Sequence, residues 1–326
     1  MTGSSELPRR HLGRSGIEVS VVGLGGNTFG PPRLDEAMTT RVIAAALDSG
    51  VNFVDTAIVY GGGESEVLIG RALQGRRDEM VVATKCNFFG ASDLPVVDRI
   101  RQQAEESLRK LATDRIDLLQ IHFPAEDVAP EELLTGLDRL VRDGKVRAIG
   151  ACNYAGWRLA ESAVLARELG TATFVSVQNY HHLLARPSAS EVLPFCRRHG
   201  LGFLPYHPLA GGFLTGKYRR GQPPPEGTRG AAGSPIVTAM STEANWDTLD
   251  RLGAFAREQG RTVGELAIAW LLSTDVISSV IAGVSNPEQL AANVAAARWQ
   301  LEDGDIRAVD AILGGYWDDP ERPPYA

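Results

Sequence analysis

The sequence predicts a (β/α)8 barrel with a β-hairpin at its N-terminal end and a long loop after the seventh barrel strand. Short apolar runs of strand length alternate with helical segments about eight times along the chain. Polar side chains recur where these strands end, as in barrels that carry their chemistry at that rim. No shift in composition marks a domain boundary, so we expect residues 1–326 to form a single domain.

The composition is typical of a globular protein in a reducing environment. Of the 326 residues, 44% are hydrophobic and 22% are charged, which allows a large core. The net charge of -7 and the lack of Lys/Arg-rich stretches argue against a nucleic-acid partner. No apolar run has the length of a membrane helix, and Met1–Glu6 lacks the features of a signal peptide. Cys86, Cys152 and Cys196 are odd in number and lack metal-ligand spacing, so we expect a cytoplasmic protein.

The N-terminal segment contains a predicted hairpin over Arg10–Ser20 and the first barrel strand over Val21–Leu24. The glycine-rich run Gly23–Gly30 then resembles a dinucleotide-binding turn. However, Thr28 stands where the third glycine of that motif belongs, and Pro31–Pro32 follows where a helix should already run. We therefore expect a loop whose backbone a ligand can approach closely, and not a Rossmann turn.

The remaining elements follow from hydrophobic periodicity and from helix start and stop signals. The other strands are predicted at Val51–Val54, Val81–Lys85, Ile116–His122, Val146–Cys152, Phe174–Gln178, Leu201–Tyr206 and Ser278–Ala282. The helices are predicted at Asp35–Ser49, Glu64–Leu73, Leu94–Leu111, Glu131–Arg142, Ala155–Leu169, Ser190–His199, Trp246–Gln259, Val263–Ser273, Pro287–Ala297 and Glu302–Leu313.

Two segments stand outside this alternation. Pro208–Thr242 is irregular, and a loop of that length in a compact domain is usually functional or mobile. The tail Asp318–Ala326 is polar and proline-rich, so we expect loose packing. The alternative fold, an open doubly wound sheet, would gather its ligand at one switch point, whereas the polar residues here are spread over many strands.

Four polar side chains are predicted to meet at the C-terminal rim of the barrel. Asp55 ends the second strand, and Tyr60 lies on the glycine-rich loop behind it. Lys85 and His122 end the next two strands. Asp55 alone could cap the loop and Tyr60 alone could be a surface ring. Charged groups are, however, rarely placed at the ends of buried strands without a partner or a function, so we predict a catalytic site.

This quartet suits the reduction of a carbonyl group, which needs a hydride donor and an acid that protonates the developing alkoxide. Tyrosine has an unperturbed pKa of about 10, and the Lys85 ammonium would stabilise the phenolate of Tyr60 and lower that pKa. Asp55 would keep Lys85 charged and oriented. His122 could hydrogen-bond the carbonyl oxygen or join Tyr60 in the proton relay. No metal is required.

Three motifs around these residues resemble the catalytic tetrad of the aldo-keto reductase superfamily. They are Asp55-Thr56-Ala57-x-x-Tyr60-Gly61, Ala83-Thr84-Lys85 and Leu118-Leu119-Gln120-Ile121-His122. The resemblance covers nearly the whole chain and is strongest to the bacterial, potassium-channel-β-subunit-like branch. It implies an NAD(P)H-dependent alcohol dehydrogenase or carbonyl reductase, with the cofactor extended across the C-terminal rim of the barrel.

The resemblance also implies a set of cofactor-binding residues. They are Gly26, Asn27, Asn153, Gln178, His181, His207, Pro208, Leu209, Gly212, Lys217, Arg229, Gly283, Val284, Ser285, Gln289 and Asn293. Asn153 and Gln178 would hydrogen-bond the nicotinamide carboxamide. The sequence departs from the family pattern at Cys152 and His207, where serine is usual. At Ala292 the family usually has an acidic residue. His181 stands at the position of the family's tyrosine that stacks on the nicotinamide, so that either His181 or Tyr180 would supply the stacking ring.

NADP(H) is the expected cofactor, with NAD(H) tolerated. Ser285 and Asn286 are neutral where many relatives carry an arginine for the 2′-phosphate, which leaves Lys217 and Arg229 as the cations. We expect an aldehyde or ketone substrate. Its selection would depend on aromatic side chains near the rim and on the long loop, namely Phe29, Tyr60, Phe88, Phe89, Phe123 and Pro208–Thr242.

Two further hypotheses compete with the reductase. The channel-subunit resemblance also allows a cofactor-binding regulatory or partner-binding protein that turns over slowly. His181, His182 and His207 could instead hold a metal, as in barrel hydrolases, but the first strand has no His-x-His and carboxylates near these histidines are few. We expect no metal site. The sequence contains no motif for a membrane or protein partner, and it does not indicate an oligomer.

Overall fold

The computed structural model describes residues 6–90 and 92–314 of the chain, so the predicted tail Asp318–Ala326 lies outside the described residues. Eight parallel strands form a closed barrel in the order β10-β3-β4-β5-β6-β7-β8-β9. These strands are β3 (Val22–Gly25), β4 (Phe53–Asp55), β5 (Val81–Cys86), β6 (Ile116–Ile121), β7 (Val146–Cys152), β8 (Ser176–Tyr180), β9 (Gly202–Tyr206) and β10 (Val280–Ala282). The predicted fold class is confirmed.

The predicted hairpin closes the N-terminal end of the barrel. Strand β1 (Arg9–His11) pairs antiparallel with β2 (Glu18–Ser20). Leu12, Ile17 and Val19 from this hairpin pack into one buried cluster with side chains of the barrel interior such as Phe53 and Leu204. Apolar side chains therefore fill this end of the barrel.

Eleven α-helices lie within the described residues. They are α1 (Glu36–Asp48), α2 (Glu64–Ala72), α3 (Val96–Lys110), α4 (Pro130–Arg142), α5 (Gly156–Leu169), α6 (Val192–His199), α7 (Pro235–Met240), α8 (Glu243–Glu258), α9 (Val263–Leu272), α10 (Pro287–Ala296) and α11 (Asp303–Ile312). None of the described helices is both long and apolar enough to cross a lipid bilayer.

Most predicted boundaries, including the start of β8, agree with the structure to within two residues, and the start of α8 is the exception. Helix α8 begins at Glu243 and not at Trp246, because the Thr242 side chain accepts a hydrogen bond from the backbone N–H of Asn245 at 3.3 Å and caps the helix there.

The long segment after the seventh barrel strand β9 is more ordered than its sequence predicted. It contains a 3₁₀ helix over Ala210–Thr215 and the short helix α7. The Tyr218 hydroxyl accepts a hydrogen bond from the backbone N–H of Gly230 at 3.0 Å, which ties the middle of the segment to its start. Residues 227–229 therefore lie at the C-terminal rim, beside the cavity described next.

Candidate active site

A cavity of about 900 Å³ opens at the C-terminal end of the barrel. It is lined by three of the four predicted catalytic residues, Asp55, Tyr60 and His122. It is also lined by thirteen of the predicted cofactor residues: Asn27, Asn153, Gln178, His207, Pro208, Leu209, Gly212, Lys217, Arg229, Gly283, Ser285, Gln289 and Asn293. Residues that are distant in sequence thus share one cleft, because the strand ends of a parallel barrel all meet at the same rim.

Lys85 and Asp55 form a buried ion pair at the floor of the cavity, which Asp55 lines. The Lys85 Nζ atom lies 2.6 Å from Asp55 Oδ2, and both side chains are almost completely buried. Lys85 also donates to the backbone carbonyl of Thr56 at 2.8 Å. Burial disfavours the ammonium form, but the Asp55 carboxylate and the Tyr60 hydroxyl more than offset this and raise the pKa of Lys85. The side chain is therefore a fixed cation at neutral pH.

Tyr60 lies between this cation and His122. Its hydroxyl oxygen is 3.4 Å from Lys85 Nζ and 3.5 Å from His122 Nε2. Tyr60 begins a short 3₁₀ helix in which Gly61 and Gly62 have positive φ, a conformation that suits glycine. Burial raises the pKa of Tyr60 and outweighs the opposing effect of Lys85. Lys85 lowers this pKa as predicted, but the sequence did not report the larger effect of burial.

His122 follows β6 and presents its ring to the cavity. Burial, assisted by the nearby Lys85 charge, lowers the pKa of His122 to about 3. The imidazole is therefore neutral at physiological pH. Its ring stacks on Phe123 with centroids 4.8 Å apart. With the ring held in this way, Nε2 is the nitrogen that faces Tyr60.

The carboxylate of Asp55 has a second set of partners that sequence reasoning missed. Gln120 Nε2 and Gln178 Nε2 both donate to Asp55 Oδ1, at 2.9 and 2.8 Å. The only sequence signal for Gln120 is an amide inside the otherwise apolar end of strand β6. Gln178 was expected to bind a nicotinamide carboxamide. It lines the cavity, but its amide nitrogen is directed to Asp55.

Asn153 is held in a left-handed conformation, with φ of 60°, directly after β7. Its Nδ2 atom donates to the backbone carbonyl of His122 at 2.9 Å, and its Oδ1 atom accepts from the Tyr206 hydroxyl at 2.7 Å. Tyr206 ends β9 and lines the cavity. This aromatic side chain was not among the predicted site residues, although its position at a strand end was a signal for it.

Three predicted cofactor residues do not line the cavity. His181 is buried with its ring stacked on Trp270, at a centroid distance of 5.9 Å, so it is turned away from the cleft. Gly26 packs so closely that a Cβ atom there would lie 3.0 Å from the Asp55 carbonyl oxygen. Val284 is buried, and its carbonyl accepts from Thr28 Oγ1 at 3.0 Å. Tyr180, the alternative to His181, is also absent from the lining.

Cationic side chains also line the cavity. Burial, together with the charges of Arg229 and Arg33, lowers the pKa of His207 to about 4. The guanidinium of Arg229 lies near Gly283, since a Cβ atom on Gly283 would be 3.4 Å from Arg229 Nη2. Lys217 lines the same region. Within residues 6–90 and 92–314, Arg229 and Lys217 form no ion pair with an acid. Their charge is therefore available to an anion.

The N-terminus of α10 completes this cationic region. Asn286 caps the helix by accepting from the Gln289 backbone N–H at 2.9 Å, and Gln289 Oε1 accepts from the Ser285 N–H at 2.9 Å. A helix N-terminus carries a partial positive charge that favours anions. In the part of the chain that the structure describes, no three His, Cys, Asp or Glu residues are grouped as metal ligands.

Comparison with known proteins gives one consistent family. The model of the Aldo/keto reductase family matches residues 21–314. The chain is 33% identical over 320 residues to the uncharacterized oxidoreductase YrpG of Bacillus subtilis, with 94% of this chain and 95% of the relative covered. It is 30% identical to a putative voltage-gated potassium channel subunit beta of Schizosaccharomyces pombe, with 94% and 93% covered. It is also 30% identical to versiconal hemiacetal acetate reductase of Aspergillus parasiticus, with 92% and 95% covered.

Proposed function

The chain belongs to the aldo/keto reductase family, and we propose that it is an NADPH-dependent enzyme that reduces an aldehyde or a ketone to an alcohol. One observation carries the proposal: the Tyr60 hydroxyl lies within 3.5 Å of both Lys85 Nζ and His122 Nε2 at the floor of a large cavity. A weak acid beside a buried cation and a neutral imidazole is an arrangement that can protonate a carbonyl oxygen.

The residues of the cavity fit a dinucleotide cofactor by their chemistry. Arg229, Lys217 and the N-terminus of α10 offer positive charge to phosphates at one end. Gln178 and the ring of Tyr206 offer an amide and a flat surface to the nicotinamide at the other end. When bound, the cofactor would supply the hydride. The volume of about 900 Å³ is at the upper end of the range for cofactor and ligand sites.

In the proposed reaction, Tyr60 gives its proton to the carbonyl oxygen as negative charge develops there. Lys85 stabilises the phenolate that remains, and Asp55 holds Lys85 in place. His122 is neutral at physiological pH, so we assign it the role of hydrogen-bond donor to the carbonyl oxygen through Nε2 and not that of a cationic acid.

A preference for NADPH over NADH is supported by Arg229 and Lys217, which line the cavity and form no ion pair with an acid in the described structure. Ser285 and Asn286 add only neutral donors. A hydrogen bond to a charged group contributes roughly 1.5–3 kcal/mol, which is about a tenfold to a hundredfold preference. We propose that NADH is still accepted. The three cysteines are buried free thiols, which fits the reducing cytoplasm that we propose as the location.

The second candidate is a cofactor-binding regulatory protein that turns over slowly. The similarity to the putative potassium channel subunit of S. pombe favours it, whereas the complete Asp55, Tyr60, Lys85 and His122 set favours the enzyme. Steady-state turnover separates the two, because a regulatory protein would bind NADPH without oxidising it repeatedly.

The deciding experiment is an assay of NADPH oxidation with a panel of aromatic and aliphatic aldehydes and ketones. Binding is measured in parallel from the quenching of protein fluorescence, for which the five tryptophans serve as reporters. We expect quenching by NADPH and repeated turnover of at least one carbonyl compound. Binding without turnover would favour the regulatory protein. Absence of both would contradict the proposal.

A further inference from the structure

The Asp55 carboxylate is held from two opposite sides. Its Oδ2 atom faces Lys85, while its Oδ1 atom accepts one hydrogen bond from Gln120 and one from Gln178. Gln120 has no exposed surface, and Gln178 is 2% exposed. Gln178 also lines the cavity, but Gln120 does not. Within the described residues, the only side-chain hydrogen bond of Gln120 is therefore directed to a member of the catalytic set.

The barrel places these three side chains in one layer. Asp55, Gln120 and Gln178 come from β4, β6 and β8, and alternate strands of such a barrel contribute side chains to the same interior layer. The intervening strand β7 leaves room at Gly150, where a Cβ atom would lie 3.2 Å from Gln120 Cγ. Below this layer the interior is mainly apolar, with Phe53, Leu118, Ala148 and Leu204, and it also holds the buried hydroxyl of Ser176. The amides thus form a polar floor between the apolar core and the active site.

A buried polar floor destabilises the fold wherever its polar atoms lack hydrogen-bond partners. Gln120 Oε1 is buried and has no hydrogen-bond partner among the described residues. An unsatisfied buried carbonyl destabilises the fold, and a leucine or methionine would fill the same space without that cost. The compensating contact is the bond from Gln120 Nε2 to the charged Asp55, and hydrogen bonds to charged groups are stronger than neutral ones.

We infer that Gln120 is a positioning residue for the reaction proposed above, on which this inference rests. It fixes the orientation of the Asp55 carboxylate and draws part of the carboxylate charge toward the amide floor. Lys85 is then not fully neutralised by Asp55, and its charge remains effective at the Tyr60 hydroxyl, 3.4 Å away.

The consequence is a defined change in the titration of Tyr60. Burial raises the pKa of Tyr60, Lys85 lowers it and Asp55 raises it. Loss of one amide donor increases the effective charge of Asp55, so the pKa of Tyr60 should rise further. The other groups that face this centre stay neutral over the working range, since the pKa of His122 is about 3 and burial raises the pKa values of Cys152 and Tyr206.

The test is Gln120→Met, which keeps the length of the side chain and removes its donor. Alcohol oxidation with NADP⁺ is followed from pH 7 to 11.5, because this direction requires the Tyr60 phenolate and burial raises the pKa of Tyr60. We expect kcat to fall roughly tenfold to a hundredfold, as for the loss of one hydrogen bond to a charged group. The midpoint of the pH profile should move upward by about one unit, with the Kd of NADPH unchanged.

Two further variants make the result specific. Gln103→Met removes two side-chain bonds to the Asn87 backbone outside the barrel, so it should lower stability without moving the midpoint. Gln120→Glu keeps size and polarity, and its carboxyl group can donate to Asp55 only when protonated. Its activity relative to the wild type should therefore increase as the pH falls.

The outcomes separate the two proposals. The role of Gln120 alone is overturned if three results occur together. The wild type turns over, the midpoint of Gln120→Met is unshifted, and the activity of Gln120→Glu relative to the wild type does not depend on pH. A wild type without NADPH-dependent turnover overturns the proposed function and, with it, this inference.

Discussion

Replacement of Lys85 by methionine tests the buried ion pair on which the proposed chemistry depends. The substitution removes the cation and leaves Asp55 almost fully buried, with the Gln120 and Gln178 amides as its remaining side-chain partners. Both catalysis and folding should suffer, because Lys85 stabilises the Tyr60 phenolate and also compensates the charge of Asp55.

The expected loss of stability follows from this burial. Breaking a buried pair by removal of one partner costs about 3–5 kcal/mol, because the other charge is left uncompensated. The two amide donors on Asp55 Oδ1 still offset part of the charge, so we expect the lower end, about 3 kcal/mol. The double variant Lys85→Met with Asp55→Asn removes the stranded charge, and it should recover much of this stability while remaining inactive.

Urea unfolding monitored by tryptophan fluorescence measures the free energy of unfolding of each variant. The matched control is Lys145→Met, since Lys145 also makes an ion pair, at 2.7 Å to Glu105, but with both side chains more than a third exposed. Such a pair contributes about 0–1 kcal/mol. A Lys85→Met protein with the stability of the Lys145→Met protein, or with wild-type kcat, would refute the assigned role of the ion pair.

Three further predictions concern the acid Tyr60, the cofactor preference and the pH dependence of stability. Tyr60→Phe should lower kcat about 10²–10⁴-fold with the Kd of NADPH unchanged, and retention of more than a tenth of kcat on an unactivated aldehyde contradicts its assignment as the acid. Arg229→Ala should lower the ratio of kcat/KM for NADPH to that for NADH about tenfold to a hundredfold, whereas an unchanged ratio would point to Lys217. Burial lowers the pKa values of His122, His181, His182 and His207 to between about 3 and 4. As the pH falls below about 6.5, these histidines are protonated in the unfolded chain before they are protonated in the folded protein. The free energy of unfolding should therefore drop by about 1.4 kcal/mol per histidine at pH 5.5. Equal midpoints of urea unfolding at pH 7.5 and 5.5 would contradict this prediction.

The fold was predictable because strand and helix patterns are local and repeat around the barrel. Each strand is a short apolar run, and each is followed by a helix with its own start and stop signals. Asp55, Lys85 and His122 could be placed together because parallel strands end at a common rim. The long segment after β9 was predicted less well, since its order depends on a contact between Tyr218 and Gly230 that no local pattern encodes.

The rings of His181 and Tyr206 lie at positions that sequence order alone does not distinguish. His181 stands only one residue beyond β8, but its ring is buried against Trp270 on α9. That contact joins residues nearly ninety positions apart, so neither periodicity nor motif spacing reports it. Tyr206 has its hydroxyl on Asn153 and lines the cavity instead. The choice between these rings is made by packing between elements.

Protonation states were the hardest property to predict, because they depend on burial as much as on charge. From the sequence, Lys85 beside Tyr60 indicated a lowered tyrosine pKa, but burial outweighs that cation and raises it. An acid whose pKa is raised by its protein environment gives up its proton less easily, so an environment that stabilises its phenolate is needed to restore activity. We propose that the amides on Asp55 Oδ1 meet this need without a second cation, because their hydrogen bonds would reduce the charge that opposes Lys85. The four catalytic residues alone do not specify these amides, although the proposal makes the pKa of Tyr60 depend on them.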